Sequence, residues 1–446
     1  MKSEKYLEIL YQISEIGFPS NYFLKHRMKY KTILSLTISI FLLSFNILSS
    51  QETNKALITL KKINEIMLQN YFDQTYGGID WKKAVKETSD KISKEKDGST
   101  AYKHIKDLLK KLKHSHLAFN PPAKYREMKK EKVILDYGSQ KQLPFDYAIH
   151  DDKLLIISID KKSDAYAQGL RLGMSISKIG KVNVEDLISK RKQYGDFMPY
   201  LNRFPNEKMS LQGIDYQSNL FHIKFNLNAY KGQLSDFGNI KGYPLSFNSK
   251  NITDDIGYVK FNIFLFAPVF KVIKAIKSFR NHKGIIIDLR NNPGGIGMLA
   301  CAIAKEFCAE KYSLGTQNTT AKNDMSEMKF PVLPQQRPIK SIIVILINRS
   351  SASTSELMAM GMQENKSAII VGEKSLGQAL PSVILKLDDG SIFQYPVGDL
   401  KSFLGKTLEG NGVIPDYEVP LDPKLLATKN IDSQIQKAIT IINNIK

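Results

Sequence analysis

From Thr32 to Gln51 the chain runs for twenty residues without a charge, TILSLTISIFLLSFNILSSQ, behind the cationic cluster Lys25, His26, Arg27, Lys29 and Lys31. That layout predicts an export signal, with the small residues Ser49 and Ser50 at a cleavage point and Met28 as a conventional start. About 20 apolar residues also suffice to span a bilayer, so the alternative is an uncleaved membrane anchor through 32–51. From Asn54 to Trp81 the apolar residues Leu57, Leu60, Ile63, Met67 and Tyr71 recur at helical spacing until Gly77-Gly78 breaks the pattern, and two shorter helices fit 81–95 and 99–113. A basic loop, KYREMKKEK (124–132), follows. Strand-like runs such as VILDY and LLIISI then take over from about 133, which marks a boundary. Residues 157–187 read as strand, short helix, Gly-bounded turn, strand and helix.

Residues 196–250 are rich in Tyr, Phe, Asn and Gly and read as strands with connecting loops. Beyond them the pattern sharpens. A strand IGYVKF (256–261), a helix from Pro268 to Phe279, a strand GIIIDL (284–289), a Gly-rich turn and a helix over 297–309 come in order. Then follow a strand SIIVILI (341–347), a helix opening near Ser353, a strand AIIVG (368–372), hairpin strands near 383–398 and a terminal helix over 424–445. Strands that are apolar throughout require cover on both faces, which predicts an α/β layer.

The 446 residues, 42% hydrophobic and 24% charged, exclude collagenous and globally disordered classes and leave room for several domains. The net charge is +20. Only nine of the 64 basic residues are Arg and the Lys are scattered, so the surplus reads as a solvated surface and no nucleic-acid partner is expected. The two cysteines, Cys301 and Cys308, are too far apart along a helix to bridge each other and rule out a disulfide framework.

Two segments suggest chemistry. The turn DLRNNPGG (288–295) leaves an apolar strand and enters a helix, and its glycines bring backbone N–H groups close to whatever binds there. Taken alone it serves equally well as a tight connection. NRSSASTSE (348–356) follows the next apolar strand and puts hydroxyls on the first turn of a helix, where the dipole stabilises developing negative charge. Ser353 with Glu356 three residues on also makes an ordinary capping box. A serine nucleophile needs a base. Among the seven histidines, His114 and His116 stand out in LKKLKHSHLAF, flanking Ser115 where helix gives way to extended chain. No HExxH or clustered Cys/His/Asp set adds further ligands to that pair, so neither a metal nor another cofactor is expected.

The ordered set IGYVKF, GIIIDLRNNPGG, VILINRSSASTSELMA, AIIVGEKSLGQ and EGNGVIPD resembles the serine peptidases of the C-terminal processing protease and tricorn core family. YGGIDW followed by LKHSH resembles that family's N-terminal helical region. Residues 140–230, above all SDAYAQGLRLGMSISKIG, resemble its PDZ domain, with Met174 where an Asp is usual. The resemblance implies a crotonase/ClpP-like βαβ core with an N-terminal helical domain and an inserted PDZ-like, β-rich domain. The expected divisions are an export signal or anchor (1–50), a helical domain carrying the base (51–132), a PDZ-like domain (133–235), a catalytic α/β core (236–423) and a C-terminal helix (424–446).

It further implies Ser353 as nucleophile. One branch of the family pairs that serine with a Lys, but Gln378 occupies the position here, and Lys374 lies four residues early. The tricorn-like branch uses a Ser-His pair and an acid, which correspond to Ser115, His116 and Glu409. Oxyanion donors would be the N–H of Thr354 and of Gly294 or Gly295. The implied function is an exported, periplasmic or extracellular serine endopeptidase acting on peptides or proteins. The alternative is a catalytically silent peptide-binding protein of the same fold.

Overall fold

The structure is a computed structural model and describes residues 53–122, 141–194, 208–237, 240–321 and 324–445. The export segment, the loop 124–132 and the run VILDY lie outside the described residues. Among the described residues no helix is long and apolar enough to cross a membrane.

The centre is a six-stranded sheet in the order Phe247–Thr253, Ile256–Phe261, Gly284–Asp288, Ile342–Ile347, Ile369–Gly372 and Tyr417–Glu418. The first pair is antiparallel and the rest are parallel. Alternate side chains go to opposite faces. Val259, Ile287, Ile345 and Ile370 join one core with the helices Phe266–Ser278, Gly297–Ala304 and Thr354–Glu364. Tyr258, Ile286, Val344 and Val371 pack on Ala438, Ile441 and Ile442 of the helix Ser433–Asn444. Both faces of the inner strands are therefore dry, which is why Ile342–Ile347 is apolar at every position. Each fully buried Ile or Val contributes about 1.5–3 kcal/mol.

Two adjacent parallel strands, Gly284–Asp288 and Ile342–Ile347, end side by side and release the turns 288–295 and 348–353 at the same edge. The carboxyl edge of such a sheet is where α/β folds place their ligands. A buried ion cluster fixes the first strand's end. Arg290 clamps Asp288 with Nε and Nη2 at 2.9 and 2.7 Å, while its Nη1 reaches Asp432 at 2.7 Å and Gln434 at 2.9 Å. Tyr258 donates to the same Asp288 carboxylate. Burial pushes the Asp288 carboxyl up, but Arg290 and Lys260 outweigh it and hold it at about 2.

A second sheet runs in the order Phe145–His150, Lys153–Ile159, Ser175–Ile179, Lys208–Ile214 and Leu220–Asn226, all antiparallel. The short helix Asp164–Ala167 and the helix Val184–Tyr194 cover it through Ala165, Val184, Leu187 and Ile188. It meets the central layer where Lys260 Nζ pairs with Asp146 at 2.9 Å and Asn291 Nδ2 donates to the Tyr147 carbonyl.

The N-terminal helices, 53–70, Trp81–Ile92 and Gly98–Lys110, share one core with Phe393 and Tyr395 of the hairpin Ser382–Lys386/Ile392–Pro396. The strand Ala118–Asn120 adds to that hairpin, pairing Phe119 with Phe393. Asp389 in the hairpin turn accepts from Thr59 and Tyr102 of the helices.

Two expectations change. The terminal helix is two, Pro423–Lys429 and Ser433–Asn444, because Asn430 turns left-handed at φ 54° and Asp432 caps the second. The helix read over 297–309 ends at Ala304 and tightens to a 3₁₀ turn over Lys305–Phe307. A long hairpin, Tyr312–Ala321 with Asp324–Val332, joined by Gly398–Ser402, adds a sheet that the polar run GTQNTTA concealed.

Arg290→Ala leaves the buried Asp288 charge without its guanidinium clamp, so we expect a loss of about 3–5 kcal/mol. Urea denaturation of the purified variant, read as a lower midpoint at unchanged slope, checks it.

Candidate active site

Of the three alternating serines in the turn after Ile342–Ile347, two are tied down. Ser351 Oγ donates to the Leu289 carbonyl at 2.8 Å and Ser355 Oγ to the Asn292 carbonyl at 2.9 Å, and both are fully buried. Ser353 alone is partly exposed. It is the N-cap of the helix Thr354–Glu364, at φ 55° and ψ −118°. Such a conformation costs a residue with a Cβ of order 1–3 kcal/mol and persists only where its surroundings enforce it. Here the Ser353 N–H donates to the Gln378 carbonyl and to Glu356 Oε2, both at 2.9 Å.

The Gly-rich turn lies directly against this serine. A Cβ on Gly294 would stand 2.7 Å from Ser353 Cβ and 2.7 Å from the Thr354 nitrogen, and Gly294 already sits at φ 100°. Only glycine fits there. The Gly294 N–H is taken by Asn292 Oδ1 at 2.9 Å. The N–H groups of Gly295 and Thr354 have no acceptor among the described residues.

The second cluster comes from opposite ends of the chain. Ser115 N–H donates to Glu409 Oε1 at 3.1 Å, and Ser115 Oγ stands 2.9 Å from Glu409 Oε2 and 2.8 Å from His116 Nδ1. A carboxylate only accepts, so the one hydroxyl proton points to Glu409 and the contact to the ring requires a proton on Nδ1. That leaves the lone pair of His116 on Nε2. His116 itself is left-handed at φ 55°, a region His tolerates better than most residues. Burial draws its pKa from 6.5 down to about 4, so the ring is neutral at pH 7. His114 faces the other way, with Nδ1 2.6 Å from Tyr71 OH and the ring edge-on to Phe72.

No hydrogen bond joins Ser353 Oγ to the His116 ring. The two clusters are instead linked by two consecutive residues. Gln378 binds the Ser353 main chain through its carbonyl, and the next amide, Ala379 N–H, donates to Glu409 Oε2 at 2.9 Å.

Sequence reasoning treated Glu356 as a cap and missed the rest of its work. Besides Ser353 N–H, its carboxylate accepts from Ser375 Oγ, from Gly377 N–H at 2.6 Å and from Gln378 N–H at 3.1 Å. It is fully buried, which pushes its pKa up to about 7 against the pull of those four donors. Asn292, anchoring both the Gly294 N–H and the Phe261 carbonyl, was also overlooked. The doubled Asn before Pro-Gly-Gly was its available signal.

Residues 255–419 match the model of peptidase family S41. That segment carries the five ordered motifs from strand 256–261 to the loop 409–416. Over 193 residues it is 28% identical to a carboxyl-terminal-processing protease of Picosynechococcus sp., covering 42% of this chain and 45% of that protein. Over 150 residues it is 33% identical to a probable CtpA-like serine protease of Staphylococcus epidermidis, covering 33% of this chain and 29% of the relative. The chain thus spans less than half the length of these curated relatives. Among solved structures, mature CPAF superposes with a TM-score of 0.61 at 13% identity over 89% of this chain and 99% of that one. The photosystem II D1 C-terminal processing protease gives 0.55 at 18% identity, over 84% and 94%. At such identities these two establish a shared fold and nothing further.

Adding a methyl at Gly294 meets both Ser353 and the helix start, so Gly294→Ala should cost about 1–3 kcal/mol of overpacking beyond the backbone penalty. Gly78, also left-handed but with nothing within 4 Å, bears the backbone penalty alone. Denaturation midpoints of Gly294→Ala and Gly78→Ala should therefore separate, with the first clearly lower.

Proposed function

We propose that this chain is an exported serine endopeptidase in which Ser353 attacks a peptide carbonyl and His116 Nε2 takes its proton. The observation that carries the reading is the Glu409–Ser115–His116 arrangement, which leaves a neutral imidazole with its lone pair on the outer nitrogen. Ser115 conveys the carboxylate's influence to Nδ1–H, so Glu409 orients the ring and stabilises the imidazolium that forms. His116 then returns the proton to the leaving amine, and water repeats the cycle on the acyl-enzyme.

Oxyanion stabilisation falls to the unengaged N–H groups of Gly295 and Thr354, at a few kcal/mol per donor. Gly294 acts by its shape, since its own N–H is committed to Asn292. The helical unit over 51–132 supplies the base, the α/β core over 236–423 the nucleophile, acid and donors, and the terminal helices covering 424–446 brace the core. The antiparallel sheet within 133–235 fits a PDZ-like, peptide-capturing module, and the central layer fits a crotonase/ClpP-like core. Export rests on the uncharged run 32–51 behind its cationic cluster.

A serine-reactive fluorophosphonate should label the wild-type protein and fail to label Ser353→Ala. Absence of labelling in the wild type at every pH tried would favour the silent peptide-binding reading. His116→Ala should lower kcat about 10²–10⁴-fold. Because a base works only when deprotonated, and the ring's pKa is near 4, kcat/KM should hold well below pH 6.5 before its acid limb. An acid limb centred on 6.5 in the pH profile would show that the imidazole's pKa is not lowered.

A further inference from the structure

Gln378 is 8% exposed, and its main chain is fully engaged, with the N–H on Glu356 and the carbonyl on the Ser353 N–H. Its carboxamide, by contrast, makes no hydrogen bond to any described residue. The only side-chain polar atom both sealed from solvent and partnerless among the described residues is Asp399 Oδ1. Both the oxygen and the nitrogen of the Gln378 carboxamide therefore open onto accessible space. The main chain that carries it stands between Ser353, whose N–H its carbonyl accepts, and the Glu409-bound Ala379 N–H.

The surroundings decide what such a group receives. Glu409 is bound to this segment and is not offset by a cation at hydrogen-bond distance, so an anionic ligand is disfavoured. A primary carboxamide offers an acceptor and a donor side by side, matching the N–H and C=O that a peptide backbone presents. Backbone held at Gly377 and Gln378 by Glu356 gives the side chain a fixed root, so the contact needs little ordering on binding.

We propose that the Gln378 carboxamide is a substrate-positioning group that hydrogen-bonds a main-chain amide of a peptide lying across Ser353. This rests on the peptidase reading above. Gln378→Met keeps the volume and removes both hydrogen-bonding atoms. With a fluorogenic peptide it should raise KM about tenfold or more, with a smaller change in kcat. Labelling of Ser353 by a fluorophosphonate without a peptide amide should proceed within about twofold of the wild-type rate. Unchanged KM in Gln378→Met overturns the proposal, as does a fall in labelling parallel to the fall in cleavage, which marks a role in shaping Ser353 instead. Fluorescence polarisation of a labelled peptide on Ser353→Ala, with and without Gln378→Met, reads the contact without turnover. An equal Kd for the two proteins counts against it, and about a tenfold weaker Kd supports it. If the wild type neither labels nor cleaves, the peptidase reading fails on its own, and the same binding pair, made in the wild-type background, still decides the role of Gln378.

Discussion

One carboxylate holds the two ends of the site together. Glu409 accepts from Ser115 twice, through N–H and Oγ, and from Ala379 N–H, so residues 294 apart in sequence meet at a single group. Charge-assisted bonds of this kind are shorter and stronger than neutral ones. Around it the fold supplies rigid carriers: the edge of the parallel sheet for Ser353, and the strand Ala118–Asn120, locked on the hairpin, for His116. Ala379 and Ser115, bonded to the one carboxylate, join the two carriers.

Buried polar groups in the core follow the same logic of complete satisfaction. Glu356 meets four donors, and Arg290 meets Asp288, Asp432 and Gln434. Each cluster pins one of the two turns that converge on the site. The turn 288–295 is held from behind by Arg290 and from within by Asn292, and the 348–353 turn by Ser351, Ser355 and Glu356. Strain at Ser353 is sustained because its neighbours are so heavily bonded.

The central sheet was legible because its strands announce themselves: IIVILI is apolar at every position, and only a two-sided layer permits that. The hairpin Tyr312–Ala321/Asp324–Val332 was illegible for the opposite reason, since TQNTT carries no alternation. The break at Asn430 depends on one residue adopting positive φ, which spacing alone does not reveal. At the candidate site, Ser353 and the glycines carry local signals of turn and cap. Ser115 and Glu409 carry none, and came from the order of motifs. Which glycine N–H is unengaged, and what Glu356 binds beyond its cap, were matters of three-dimensional bonding that no linear pattern encodes.

The strand Ala118–Asn120 also shields a vulnerable border. It covers the outer side of Ile392–Pro396, while the helices roof over Phe393 and Tyr395. Stripped of that partner, the hairpin would present a row of unsatisfied amides and carbonyls beside bare aromatic rings, a ready template for chains to stack upon one another. The segment that follows His116 thus doubles as a guard against self-association, which ties solubility to the same stretch that carries the candidate base.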